Sequence, residues 1–158
     1  MKTANTLLRK LHKASPAGFA IGLHIQYTTP RYFFQSYKKE WFDIYSAKGY
    51  VMQDPSIRWG FSNEGTKRWS ELADEDTLGV LVEAAQHGVA FGTAVSVVRS
   101  GSRTIAGFAR SDREMTDLEI ASIHKDLRQL HDETLNVMVL SPEFHETMRQ
   151  MSIYLTHG

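Results

Sequence analysis

Two pairs of strand-like segments flank a helical middle in this chain, and this arrangement restricts the fold more than any other feature. In the first strand, residues 18–27, large apolar side chains alternate with small or polar ones. The large residues are Phe19, Ile21, Leu23 and Ile25, and those between them are Ala20, Gly22, His24 and Gln26. Alternation with period two predicts a β-strand. The face with small and polar residues suits the wall of a ligand cavity.

The remaining segments extend this pattern into a complete domain. A second strand is predicted at 31–37, and residues 89–99 and 103–110 predict a hairpin around Ser100-Gly101-Ser102. Helices are predicted at 2–13, 39–48, 71–88 and 116–140, with shorter ones from Asp54-Pro55 and at 144–154. Hairpins of this kind form an antiparallel sheet with helices packed on its faces, a mixed α/β (α+β) fold. No repeat or linker divides the chain, so one domain over residues 1–158 is expected.

Composition excludes several classes of function. The 18 basic residues balance 18 acidic ones, so the chain lacks the concentrated positive charge that nucleic-acid binding needs. The sequence has no cysteine, which excludes disulfides and thiolate metal sites and fits a reducing compartment. No segment is apolar enough for a membrane span, and the N-terminus predicts an amphipathic helix rather than a signal peptide. A cytoplasmic protein that binds neither nucleic acid nor membranes is expected.

The sequence offers no set of residues for catalysis. The seven histidines are scattered, and no pair has the spacing of a zinc-binding helix. His124 and His131 lie seven positions apart on the last long helix and are interpreted as surface residues. The sequence contains no nucleophile elbow, phosphate-binding loop or dinucleotide fingerprint. We therefore expect no enzyme, no metal and no cofactor.

The aromatic residues Tyr37, Trp41 and Tyr45 recur at helical spacing and share one face. By itself this stripe favours an aromatic core, but each ring carries a donor at its tip. Three such tips in one interior are also the polar contacts of a mostly apolar pocket. Asp54 has two interpretations as well. It is a good N-cap before Pro55, and its carboxylate has spare sites for a ligand N–H.

The spacing of Trp41, Tyr45, Asp54-Pro55 and Trp69, W-x3-Y-x8-D-P-x13-W, resembles the signature of autoinducer-binding domains of LuxR-type quorum-sensing regulators. The segments 88–92 and 108–114 resemble further parts of that family. The resemblance spans most of residues 18–135. It implies an antiparallel sheet sandwiched between helical layers, a single sensor domain.

The resemblance also implies roles for individual residues around an N-acyl homoserine lactone. Trp41 would donate to the lactone carbonyl, Tyr37 would donate to the acyl carbonyl, and Asp54 would accept the amide N–H. Tyr45 would line the acyl channel, and Trp69 would pack against the ring end. Further candidates for the apolar wall are Leu81, Ala84 and Val89.

The resemblance leaves three functional alternatives open. The first is a sensor of a lactone or similar acylated signal, which acts as a homodimer or as a heterodimer with related regulators. The second is an orphan receptor for a different small ligand. The third is a dimerising antagonist without DNA-binding ability, because a helix-turn-helix does not fit into the last ~20 residues. The helix at 116–140 is a candidate dimer surface.

Overall fold

The computed structural model describes residues 2–135, apart from the side chain of Lys2. The helices are α1 (Lys2–Ala14), α2 (Lys39–Ala47), α3 (Pro55–Ser62), α4 (Val80–Gln86) and α5 (Asp117–Leu135). The strands are β1 (Gly18–Gln26), β2 (Thr29–Gln35), β3 (Gly65–Arg68), β4 (Phe91–Arg99) and β5 (Ser102–Arg110). The described residues also form two 3₁₀ helices, Tyr50–Met52 and Trp69–Glu75.

All the strands join in one antiparallel sheet with the order β2-β1-β5-β4-β3. The two predicted strand pairs are confirmed as β1–β2 and β4–β5, and they meet where β1 pairs with β5. Strand β3 was not predicted, because its four residues, Gly-Thr-Lys-Arg, show no apolar alternation. The mixed α/β fold with an antiparallel sheet is confirmed.

One face of the sheet is covered by α1 and α5. The predicted apolar face of α1 is buried, and it packs with the apolar face of α5 and the large alternating residues of β1 in one cluster. Buried members from the helices include Leu7, Leu8, Leu11, Ile123, Leu127 and Leu130. The predicted capping box at the start of α5 is confirmed, since Thr116 and Glu119 exchange backbone-to-side-chain hydrogen bonds.

The opposite face of the sheet is covered by α2, α3, α4 and the 3₁₀ helices. Here a second cluster of buried residues contains Trp41, Trp69, Val80, Ala84 and Val89. The sheet therefore lies between two helical layers. The layer with α1 and α5 is densely packed with aliphatic residues, whereas the other layer is rich in aromatic residues and encloses a cavity.

The helix predicted at 71–88 is wrong in its extent. The chain instead forms the 3₁₀ helix Trp69–Glu75 and then α4, which starts only at Val80. Gly79 has a φ of 70°, and the Asp76 carboxylate accepts hydrogen bonds from the backbone N–H groups of Val80 and Leu81. A side chain that satisfies these N–H groups starts a new helix. The break directs α4 across the cavity.

A register shift between Gly22 and Ile25 interrupts the alternation of β1. His24 adopts a φ of 54° and turns towards α5. Its ring contacts that of His131, with the centroids 4.4 Å apart. The interpretation of His131 as a surface residue is wrong, since it is fully buried under β5 and hydrogen-bonds Thr104. A β-bulge has redirected the side chains that follow it.

Two further predictions concern the ends of the described residues. Helix α5 is confirmed as far as Leu135, while residues 136–140 and the helix predicted at 144–154 lie outside the described residues. Within residues 2–135, no helix is long and apolar enough to cross a membrane.

Candidate ligand-binding site

A cavity of about 200 Å³ lies between the sheet and the layer formed by α2, α3 and α4. Most of the residues predicted as ligand-binding line it: Tyr37, Trp41, Tyr45, Asp54, Trp69, Leu81 and Ala84. Val89, also predicted, is buried in the adjoining aromatic cluster but does not line the cavity. Residues from α2, α4, the 3₁₀ helix Trp69–Glu75 and two loops thus converge on one space.

Asp54 lies at the polar end of the cavity and is only 7% exposed. Its Oδ1 accepts hydrogen bonds from the backbone N–H and the hydroxyl of Ser56, at 2.9 and 2.6 Å. The predicted N-cap role is confirmed, with Pro55 at the first position of α3. Its Oδ2 accepts a hydrogen bond from the Tyr45 hydroxyl at 2.8 Å. A carboxylate has about four acceptor sites, so Oδ2 retains capacity for another donor.

The electrostatics of this end follow from burial. Burial raises the pKa of Asp54 above its usual value, and the hydrogen bonds from Ser56 and Tyr45 act in the opposite direction. Burial, with the negative charge of Asp54, also raises the pKa values of Tyr37 and Tyr45. Both tyrosines therefore remain neutral phenols at physiological pH. The Tyr45 hydroxyl donates its proton to Asp54, and the neutral Tyr37 hydroxyl carries a further donor beside the same carboxyl group.

Trp41 is held in a fixed orientation by the rings around it. Its indole stacks on His87 at 5.5 Å between centroids and meets Tyr45 edge to face at 5.9 Å. Tyr50 closes a third side at 6.3 Å and donates its hydroxyl to Glu83 of α4. These contacts keep the buried indole against the cavity without requiring a ligand.

Trp69 forms the floor of the cavity against the sheet. Its indole lies flat on Gly92 of β4, where an added Cβ would stand 2.1 Å from a ring carbon. Only glycine allows this approach, because any other residue would displace the ring. In the part of the chain that the structure describes, the buried Nε1 of Trp69 has no hydrogen-bond partner. An unpaired buried donor of this kind costs about 1–3 kcal/mol.

The sheet face beneath the cavity carries small side chains. Ala20 and Gly22 of β1 line it, as the small face of the first strand predicted, together with Gly107 of β5. His24, on the same predicted face, does not line it, and Ile25 takes its place because of the bulge. Small residues on the sheet leave the space that the helices do not fill.

Several residues that line the cavity were not predicted from the sequence. They are Ile25, Thr28, Pro30, Phe33, Phe42, Val51, Ser56, Ile57, Phe61, Val80 and Ile105. Ser56 follows directly from the D-P-S sequence, because an N-cap carboxylate regularly meets the second residue after it. The others are ordinary apolar residues, and no local pattern separates a cavity wall from a filled core.

The cavity combines an apolar wall with a small number of polar groups. A carboxyl, two phenols, two indoles and the Ser56 hydroxyl line it near Asp54, and Thr28 lines it at the β1–β2 turn. Among residues 2–135, no group of three or more histidine and acidic residues could hold a metal ion. An apolar cavity with a few convergent polar groups is typical of a small-molecule binding site.

Comparison with known proteins decides the family. The model of the autoinducer binding domain matches residues 17–133, which is most of the chain. The chain belongs to the autoinducer-binding domain family. This family comprises signal-binding domains of LuxR-type quorum-sensing regulators. A comparison with curated proteins found no match.

Solved structures share the fold of this autoinducer-binding domain. A structure of SdiA in complex with octanoyl-rac-glycerol has a TM-score of 0.63 and 18% identity, covering 90% of this chain and 64% of that one. A structure of Escherichia coli SdiA has the same TM-score, the same identity and the same coverage of this chain. The match covers 66% of that SdiA chain. CepR2 of Burkholderia cenocepacia is an N-acylhomoserine lactone dependent LuxR family factor. Its structure has a TM-score of 0.55 and 15% identity, and the match covers 85% of this chain and 94% of the CepR2 chain. The chain thus spans about two-thirds of the length of SdiA.

Proposed function

We propose that this autoinducer-binding domain senses an N-acyl homoserine lactone, or a similar acylated signal, in the cavity between the sheet and α2–α4. The observation that carries the proposal is the buried Asp54 carboxyl, which retains an acceptor site on Oδ2 at the end of an otherwise apolar space. A ligand with one N–H and a long apolar part would satisfy both features.

The polar groups suggest how such a ligand would lie. Its amide N–H would donate to Asp54, its acyl carbonyl would accept from Tyr37, and its lactone carbonyl would accept from Trp41. Tyr45 would line the start of the acyl channel, and Trp69 would pack against the ring. Without these partners, the buried amide and lactone would each cost about 1–3 kcal/mol. Leu81 and Ala84 would contact apolar parts of the ligand.

Signal binding would act by linkage. A ligand that binds only the folded domain stabilises it, and stabilises any dimer that the folded domain forms. We propose that the domain pairs with another copy or with a related regulator and so controls quorum-sensing transcription. This role would place it in the cytoplasm, without enzymatic activity and without direct nucleic-acid contacts.

The test is ligand retention combined with thermal shifts. The protein is expressed with a panel of acyl-homoserine lactones, and molecules released on denaturation are identified by mass spectrometry. We expect one lactone to be retained and to raise the melting temperature. In Asp54→Asn the affinity should fall on the order of 10- to 100-fold, because a hydrogen bond to a charged group contributes about 1.5–3 kcal/mol.

The matched control for Asp54→Asn is Asp76→Asn. Asp76 also accepts backbone hydrogen bonds at a helix start, but it does not line the cavity. Asn remains a good N-cap, so both variants should fold. Equal effects of the two variants on lactone affinity would contradict the role of Asp54. Unchanged affinity in Trp41→Phe would likewise contradict the donor role of Trp41.

An orphan receptor with a different head group is the second candidate. It is favoured by SdiA, whose structure is described in complex with octanoyl-rac-glycerol, an acylated ligand without an amide. Retention of 1-octanoyl-rac-glycerol in place of every lactone would select this candidate. Retention of no small molecule by well-folded protein would instead favour a dimerising antagonist.

A further inference from the structure

The cavity is closed at its polar end and open at the other. Asp54, Trp41 and Trp69 at the closed end are all buried. Two apolar residues that line the cavity near Gly22 are instead partly exposed at the surface. They are Phe33 (44%), which pairs with Gly22, and Phe61 (39%), which follows Gly60 where that residue packs on Ile105. We refer to these two as the rim. Apolar side chains continuous with an internal cavity are a feature that binding sites show.

The direction of the cavity follows from the register of the sheet. Gly107 lies beside Trp69 and the Tyr37 hydroxyl, which marks the inner end. Gly107 pairs with Ala20, and two residues further along β1, Gly22 lies beside Pro30 and Ile25 near the β1–β2 turn. The lining residues therefore lead along β1 from the floor at Trp69 to the surface.

We propose that the open end receives the terminal part of a long acyl tail and that the rim makes the domain selective for long tails. This inference rests on the proposed function, which places the head group at Asp54. A tail attached to a head group at the closed end can follow the path along β1. Where the cavity opens to the surface, its next methylenes meet Phe61 and Phe33. The rim is continuous with the cavity, so the occupant of both is one ligand.

The two parts of this path differ in the affinity gained per methylene. Inside the cavity a methylene leaves water on all sides, which corresponds to about a fourfold gain in affinity (about 0.8 kcal/mol). At the rim only one side of the tail is covered, so roughly a twofold gain is expected for each methylene. Affinity should therefore continue to rise with tail length, with a smaller slope after the cavity is filled.

The test uses saturated N-acyl homoserine lactones of increasing tail length, titrated into the 158-residue protein by calorimetry. The expected result is the two-slope profile, with no loss of binding at the longest tails. In Phe33→Ser and Phe61→Ser, the second slope should vanish while the shortest tails bind as in the unchanged protein. Val82→Ser is the matched control, because Val82 is 62% exposed on α4 but does not line the cavity. It should leave the whole profile unchanged.

Gly22→Val supplies an independent variant inside the cavity. An added Cβ would lie 3.3 Å from the Pro30 Cβ and 3.7 Å from the Ile25 Cδ1, so a valine narrows the path midway. Long tails should then lose at least tenfold in affinity, while tails that end before Gly22 retain theirs. Protection from urea unfolding by a short-tailed lactone would show that this variant is folded.

Three results would overturn the inference. They are a sharp affinity maximum with longer tails rejected, equal weakening of short and long tails by Phe61→Ser, and an effect of Val82→Ser equal to that of Phe61→Ser. In each case some lactone still binds, so the proposed function stands. Absence of binding by every lactone in the series would overturn the proposed function together with this inference.

Discussion

Lowering the pH from 7 towards 4 should weaken the attachment of α5 to the sheet, because it forces a proton onto the buried ring of His24. Both ring nitrogens are already engaged in the folded protein. Nδ1 lies 2.7 Å from the Ser102 hydroxyl, and Nε2 lies 2.9 Å from the Thr134 hydroxyl and 3.1 Å from the His131 carbonyl. Thr134 and His131 belong to the last described turns of α5.

The size of the effect follows from the pKa of His24. Burial, followed by the neighbouring His131, lowers this pKa from 6.5 to about 4. Nearby Arg31 lowers it further, whereas Asp132 and the hydrogen bond to the His131 backbone raise it. Between pH 6.5 and 4 the unfolded chain binds this proton and the folded protein does not. The contribution of His24 to the free energy of unfolding is therefore complete above pH 6.5 and is lost as the pH falls to 4.

A gap of about 2.5 between the two pKa values corresponds to about 3 kcal/mol, at about 1.36 kcal/mol for each pH unit. This is a large fraction of the ~5–15 kcal/mol that stabilises a typical domain. Burial also lowers the pKa of His131, so its contribution has the same sign.

The assay is urea unfolding, followed by tryptophan fluorescence at several pH values from 4.5 to 7.5. His24→Asn is the comparison, because asparagine tolerates the φ of 54° and does not titrate. The stability difference between the two proteins should shrink as the pH falls, since acidic groups common to both cancel. Parallel stability curves over this range would refute the assignment of the pH dependence to His24.

Two further predictions concern packing and a helix end. Gly92→Ala should lower the free energy of unfolding by at least about 2 kcal/mol, since its Cβ would overlap the Trp69 ring; a loss below about 0.5 kcal/mol in urea unfolding would contradict this packing. Arg103→Met should cost about 1.5–3 kcal/mol in the same assay, because the guanidinium donates to the Gly60 and Asn63 carbonyls at the end of α3 and to the Ser96 hydroxyl of β4. Arg99→Met, which removes an exposed ion pair, is its control and should cost less than about 1 kcal/mol.

The sequence predicted the architecture because the signals for most elements are local. Strand alternation, the turn at Gly101 and the capping box at Thr116 each depend on residues close in the chain. The helix predicted at 71–88 failed for the same reason. The composition of this segment favours a helix throughout. Asp76 suits the interior of a helix as well as the cap that starts α4 after Gly79, so local signals do not distinguish the two.

The candidate site could be predicted only in part. The spacing of Trp41, Tyr45 and Asp54 identified the polar end, because helical periodicity places the first two on one face. The apolar end at Ile25 and the rim was not predicted. Whether an apolar side chain lines a cavity or fills a core depends on what packs opposite, and this depends on residues far away in the chain.

By itself, the sequence determined which segments become strands and helices, and that Asp54 caps α3, since these follow from backbone preferences within a few residues. The tertiary structure alone decided the fate of the two residues at the bulge in β1. His24 is buried against α5, and its neighbour Ile25 lines the cavity on the opposite side. A one-residue change of register exchanges the faces of a strand, and pairing with β5, about 80 residues later, sets that register.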